Sequence, residues 1–401
     1  MCAVTSLLVA SSVWGPVGAA DVDFRPTLTF GLAHDGNTAV TGDATANGDE
    51  LAALTVDLAV TRRTPVERLS FSYRPSYVAY RRQTGSDYFG HLLNLDVIFL
   101  PAAQATYTLD LTASRTEQQG ARLTTPSEPT TFVTRSTQTR ASLGLRGAHD
   151  QRRSIVDWEF RCDVVDYSEP SNSGSGTSTT ASLEGSTMFS GSTAWRYVVS
   201  EKGSVGLRVD LRRLEYQTSP TTFVETLGLI GLQEFDRKTS MSYTAGISRS
   251  SSSDIGITLA SGELLITHSI TDMSSLSAGI RRLVSQGHGA GGPSTDTGAY
   301  LTYTHRPPRR GLSGTVVATY WRRHPEFQAA PSAPSGTIAP VASNTISTAE
   351  TLAWNFNPFV SLDLVHTFND QTSSDPAVLD TRYNSYGFAI HWAIRGRQEV
   401  P

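Results

Sequence analysis

Cysteine is nearly absent: two residues among 401, of which Cys2 lies in the N-terminal leader and only Cys162 in the body of the chain. One thiol cannot build a disulfide framework or a cysteine-based metal cluster. Basic charge is not in excess either. Lys+Arg total 33 against 37 Asp+Glu, for a formal net charge of -4. With no long basic run, the electrostatic footprint of a nucleic-acid binder is missing, and no nucleic-acid partner is expected. Gly-rich phosphate loops and zinc-type histidine spacings are lacking too, so neither a cofactor nor a metal ion is expected. No persuasive stretch carries apolar residues at helical period, which weighs against a soluble enzyme of this length. Beyond the leader, nothing approaches the ~18–20 consecutive apolar residues that a membrane helix needs. The longest apolar run lies around Val97-Ile98-Phe99-Leu100-Pro101-Ala102-Ala103.

What the chain does contain is a short alternation, repeated. A hydrophobic fraction of 38% would suit disorder, but Leu, Val, Tyr and Phe recur at period two, which disordered segments do not show. Leu54, Val56, Leu58 and Val60 alternate with Thr55, Asp57, Ala59 and Thr61. After Arg62-Arg63-Thr64-Pro65 the figure restarts with Leu69, Phe71 and Tyr73. Leu93, Leu95, Val97 and Phe99 lead into a turn at Pro101, and Tyr107, Leu109 and Leu111 follow it. Further turns fall at His149 to Arg152, Ser200 to Gly203, Asp236 to Thr239, Thr271 to Ser274, Arg306 to Gly311 and Asn355 to Pro358. Each joins two alternating segments, as a hairpin does. Between the hairpins lie longer polar connections: Glu117 to Arg135, Glu169 to Thr177, Gln286 to Asp296, and the Ala-, Pro- and Ser-rich His324 to Ser343. An opening strand near Pro26 to His34 and a closing one near Thr381 to Ile394 bring the count to about 18 strands (16–18).

A membrane protein without apolar helices has to be a closed barrel, because lipid cannot satisfy open backbone groups. The expected fold is therefore all-β: a transmembrane antiparallel up-and-down β-barrel with short periplasmic turns and long extracellular loops. Such a barrel sits among the lipids of the outer membrane of a Gram-negative bacterium. A soluble β-sandwich, propeller or solenoid is the alternative, but strand after strand offers only one apolar face. Aromatic residues also gather near strand ends, as at Tyr73 and Tyr77, Tyr88 and Phe89, Trp195 and Tyr197, and Trp354 with Phe356 and Phe359.

The two ends carry signals of their own. Residues 1–20 read as a signal peptide, with Gly18 and Ala20 before Asp21 suiting cleavage after Ala20. No Lys or Arg precedes its apolar stretch, so the translation start is expected upstream. Residues 21–401 then form a single barrel domain. Near the other end, Ser385 to Trp392 follows the form polar, any, Gly, any, any, apolar, any, aromatic. This is similar to the C-terminal signal read by the outer-membrane barrel assembly machinery, with Gly387, Ile390 and Trp392 as its elements. The chain runs on past the aromatic to Pro401.

The segment Arg68 to Tyr80, followed by Asp87 to Leu95, and the opening Leu28 to Asn37 resemble the β-barrel porin families of Gram-negative bacteria. These families include the ones that accompany exopolysaccharide and exosortase gene clusters. The resemblance covers the N-terminal part of the mature chain well and the remainder as rhythm. It implies the barrel fold and the outer-membrane location, and it carries over no catalytic residue.

If the apolar side chains face lipid, the intervening polar ones line the lumen. Parity nominates Asp57, Arg74, Asp96, Asp110, Arg146, Asp157, Glu159, Arg161, Asp163, Arg208, Asp210, Arg212, Arg281 and Asp363 as pore-lining residues. Opposite charges on facing walls would set up a transverse field across the pore, whereas lateral cross-pairing would merely hydrate the wall. The expected function is a porin-like channel for passive passage of hydrophilic solutes, with a link to exopolysaccharide export as the finer idea. A surface receptor or structural barrel of little conductance is the first alternative. A barrel hydrolase is the second, although His91, His268, His305, His366 and His391 stand singly with no compelling Ser or acid beside them in sequence. No globular plug precedes the barrel, which weighs against an energy-coupled transporter. An inward fold of the His324 to Ser343 connection would occlude the pore.

Overall fold

The computed structural model describes residues 21–35, 48–82, 87–118, 136–168, 185–217, 220–252, 255–286, 293–307, 311–325, 342–373 and 381–393. The leader and most of the connection 324–343 lie outside these residues. The first nine strands are β1 (Asp21–Asp35), β2 (Asp49–Arg63), β3 (Glu67–Tyr80), β4 (Tyr88–Ala102), β5 (Ala105–Gln118), β6 (Ser136–Gln151), β7 (Ser154–Ser168), β8 (Ser186–Ser200) and β9 (Gly203–Tyr216). The second nine are β10 (Thr222–Glu234), β11 (Thr239–Ser252), β12 (Ile255–Thr271), β13 (Ser274–Gln286), β14 (Pro293–His305), β15 (Leu312–Pro325), β16 (Ser343–Asn355), β17 (Val360–Ser373) and β18 (Thr381–Ala393).

Every strand pairs antiparallel with its sequence neighbours, and β1 also pairs with β18 from Thr27↔Ala393 to Asp35↔Ser385. The 18-stranded sheet therefore has no edge. All eight turns expected from the sequence fall at one end of the barrel, and the longer connections leave from the other. The turns have local causes. Arg152, in the tight link between β6 and β7, takes a positive φ of 47°. In the β16–β17 turn the Asn357 side chain accepts the amides of Phe359 and Val360, both at 2.8 Å. Between β10 and β11, the Asp236 carboxylate accepts the amides of Lys238 and Thr239 at 2.7 Å each. These bonds, the one from Lys238 foremost, hold its pKa below the ordinary carboxylate value.

Alternation decides which face is which. Leu227 and Ile247 are each 60 % exposed, and Leu54, Phe160, Leu211 and Ile280 are exposed like them. In water such a surface would be an aggregation hazard; in a bilayer it is the lipid-facing band. Outward aromatics lie toward both ends: Tyr77, Phe89 and Phe223 are exposed beside the longer connections, and toward the turns Trp158 packs between Tyr107 and Phe160, and Trp354 packs on Phe356. Not every expected girdle residue belongs there. Tyr88 has the opposite parity to its exposed neighbour Phe89, and Tyr73, well inside β3, bonds His91 at 2.7 Å.

Candidate functional site

The residues of opposite parity form the inner wall. Its concave side is recognisable because side chains two strands apart meet there: the Tyr300 hydroxyl on β14 donates to Glu263 on β12 at 2.8 Å. Charge is concentrated on the arc from β4 to β9. In one register row Asp96 faces Asp110, which is followed by Gly144, Arg161, Ser190 and Arg212. In the next row toward the turns, Arg146 faces Glu159, followed by Ser192 and Asp210. A third row runs Ala148, Asp157, Ala194 and Arg208.

Ion pairs tie this arc together laterally. Arg146 reaches Asp110 at 3.3 Å, Arg196 reaches Asp157 at 2.5 Å, and Arg208 grips Asp210 at 2.8 Å. Asp163, buried, accepts from both Arg161 and Arg140 at 2.9 Å. Gly144 makes part of this possible: a Cβ there would stand 2.5 Å from both Asp110 carboxylate oxygens. The glycine lets that carboxylate lean across β6. Asp57 pairs with Arg74 at 2.6 Å on the neighbouring arc, and Arg281 approaches Glu263 at 3.8 Å. Arg212 is exposed on the inward side of β9. Asp96, Arg146, Asp157, Glu159, Arg196 and Arg208 border a cavity of about 700 Å³.

The structure thus brings Asp96, Asp110, Arg146, Asp157, Glu159, Arg161, Asp163, Arg208, Asp210 and Arg212 onto one arc. Asp57 with Arg74, Arg281 and Asp363 stand apart from it. The pairs are lateral, and the inward positions of β15 to β18 are mostly Ser, Thr, Ala, Val and Gly. Opposed charges on facing walls, and so a transverse field, are not what this arrangement provides. It has a charged side and a neutral hydroxyl-bearing side. Each arc is a run of consecutive strands, so its inward residues can be read in strand order; what parity leaves open is the register that sets which of them stand side by side.

Two histidines gain partners that their sequence neighbours do not reveal. His391 joins Thr29 (2.8 Å) to Asp363 (2.9 Å) across β1, β18 and β17 on the inner wall. A hydroxyl, an imidazole and a carboxylate in series are the elements of a hydrolytic array. The flanking backbone N–H groups, however, belong to the sheet ladder and form no oxyanion hole. His366 bonds Glu350 and Asn384 on the outward face, with no hydroxyl in the group. At the seam, Ile390 and Trp392 point outward and are exposed. Gly387 lies against β1, where a Cβ would come within 2.8 Å of the Leu32 carbonyl oxygen. Among the described residues no group of His, Cys, Asp and Glu is arranged to hold a metal ion.

A closed eighteen-strand sheet with an apolar band outside and a polar wall inside defines the class: the chain is a transmembrane β-barrel of the outer-membrane type. No family model matches the sequence, and no curated protein matches it. Solved structures do match in fold. The FrpB iron transporter of Neisseria meningitidis aligns with a TM-score of 0.53 at 8% identity, over 89% of this chain and 63% of that one. OpdO of Pseudomonas aeruginosa aligns with a TM-score of 0.49 at 10% identity, over 93% of this chain and 98% of that one. OprD of the same organism aligns with a TM-score of 0.46 at 9% identity, covering 93% and 96%. At these identities the likeness concerns the fold alone.

Proposed function

We propose that this barrel is an outer-membrane channel for the passive passage of small hydrophilic solutes. One observation carries the reading: a closed eighteen-strand wall encloses more space than inward side chains fill, and a cavity of about 700 Å³ opens against the charged arc. In this reading Asp57, Arg74, Asp96, Asp110, Arg146, Asp157, Glu159, Arg161, Asp163, Arg208, Asp210, Arg212, Arg281 and Asp363 line the pore. The short turns face the periplasm and the longer connections face outside. Residues 1–20 export the chain, and Gly387, Ile390 and Trp392 present it to the assembly machinery. Polysaccharide passage is the finer form of the same function. The hydrolase alternative has the Thr29–His391–Asp363 series in its favour and the missing oxyanion hole against it.

Planar-bilayer recording of the purified protein is the test. Stepwise currents are expected, since a wetted bore of this strand number conducts ions. A barrel that is folded, as judged by a gel shift between unheated and boiled samples, yet gives no steps would leave the receptor or structural role in place of the channel.

A further inference from the structure

The outer surface carries a pair of arginines in an otherwise apolar wall. Toward the longer connections, β13, β14 and β15 set three register rows on their outward faces. Nearest the rim stand Arg282, Thr297 and Arg322; below them Ile280, Ala299 and Tyr320; below those Ala278, Leu301 and Ala318. Arg282, Thr297, Arg322, Ile280, Ala299 and Tyr320 are all exposed. In both upper rows a short side chain on β14 lies between long ones on β13 and β15. The result is a shallow notch one strand wide, with Thr297 and Ala299 as its floor and Leu301 closing it below. One wall is steadied from behind, because the Tyr320 hydroxyl donates to Asn344 on β16 at 3.2 Å. Adjacent strands lie ~4.8 Å apart, so the two arginine backbones stand ~10 Å apart across β14. Side chains of that length can both reach a group seated over Thr297.

We propose that this notch binds a phosphate-bearing lipid of the leaflet beside the longer connections. Its phosphate sits between Arg282 and Arg322 over Thr297, and one acyl chain lies along Ala299 and Leu301. Charge selects the headgroup. Among the described residues, the neighbours of the pair in its row are Gly262, Thr297 and Asn344, none of them acidic. The acids one position away, Glu263 and Asp296, belong to the inner wall and are taken by Arg281 and Arg323. Four other arginines of this rim do stand beside acids: Arg81 holds Glu50, Arg213 holds Glu215, Arg382 holds Asp370, and Arg249 faces Glu225. Two like charges on a lipid-facing wall repel each other, and an anion between them removes that cost. Guanidinium groups grip phosphate oxygens with paired N–H bonds, and the Thr297 hydroxyl can donate one more. The rows below select the tail, since Ile280 and Tyr320 flank a channel of chain width that a free anion would leave unused. A lone arginine would need only to extend its head to water; two arginines above an apolar notch match a headgroup above its chain. The proposal concerns the outer surface and stands apart from the channel reading.

The experiment titrates the full-length, detergent-solubilised protein with dioctanoyl phosphatidic acid and counts bound lipid by native mass spectrometry. Dioctanoyl phosphatidylcholine, whose phosphate carries its own cation, is the control of matched chain length. Uptake of phosphatidic acid should be saturable and preferred over the choline lipid. Arg282→Gln/Arg322→Gln should raise the half-saturating concentration about tenfold or more, through the loss of bonds to a charged group. Ala299→Phe fills the notch without touching the charge and should weaken uptake in the same direction. Arg213→Gln/Arg249→Gln, elsewhere on the rim, should leave it unchanged. A gel shift between unheated and boiled samples checks folding, and if the Arg282/Arg322 variant loses that shift, Ala299→Phe decides. If the two arginines merely reached for water, all three variants would bind alike. Equal uptake by the wild type and the Arg282/Arg322 variant, an equal loss in the Arg213/Arg249 variant, or unaltered uptake in Ala299→Phe would each overturn the proposal. So would equal binding of phosphatidylcholine, or displacement by an equal concentration of inorganic phosphate, which would mark a site for free anions.

Discussion

Single side chains in this wall are governed by parity, and the energetic contrast between neighbours is large. Leu58 belongs to the apolar face of β2, whereas Asp57 beside it holds Arg74 on the inner wall. Leu58→Arg should destabilise the folded barrel by ~2–4 kcal/mol, the cost of a cation near the bilayer midplane. Asp57→Asn removes a partly exposed pair that solvent screens, so a loss below ~1 kcal/mol is expected. Reversible urea unfolding in lipid vesicles measures both, and equal losses would mean that the faces are assigned wrongly. This inside–outside distinction was legible in the sequence because it depends only on period two. The partnership of Thr29 with His391 was not, since 362 residues separate them and only closure joins them.

At the scale of strands and turns, the eight hairpin turns were legible because Pro, Asn, Asp and Gly write them locally. Two strands were harder to read, each for a physical reason. β12 puts Leu264 and Ile266 outward but also Leu265 inward, so its alternation fades where both faces are apolar. β8 begins only at Ser186, since the Ser/Thr-rich stretch before it has no apolar face to mark a boundary. The seam depends on one small residue. Gly387→Val would drive a side chain into the Leu32 carbonyl and the Ala33 side chain, within 2.8 Å of both. Backbone cannot yield there without breaking the β1–β18 ladder. The expected outcome is a smaller heat-modifiable fraction on gels after refolding, with Gly256→Val, which meets nothing closer than 3.9 Å, as the tolerated control. Equal folding of the two variants would contradict a tight seam.

For the molecule as a whole, the charge on one arc should govern which ions enter. Arg208 and Arg212 are inward on β9, flanking Asp210. Arg208→Glu/Arg212→Glu turns a cationic strand anionic, and reversal potentials in a salt gradient should move toward cation selectivity, because fixed lumen charge sets the local counter-ion concentration. Glutamine at both positions should give a smaller shift in the same direction; no shift from either would remove β9 from the conduction path. The division into a charged and a neutral arc follows strand order, which in an up-and-down barrel is sequence order; the ion pairs within the charged arc depend on register, which the sequence does not show.

The joining of the first strand to the last also sets the tempo of folding. No early hairpin can be completed into the native ring until Trp392 and its neighbours have been made, because β1 pairs with residues near the far end of the chain. Contacts of such long range have the highest loop-closure entropy and the slowest formation. The growing chain must therefore be kept apart from others while two unpaired strands wait, and a chain cut short before β18 has no closed form to reach. Synthesis and folding are separated in time by the position of a single ladder.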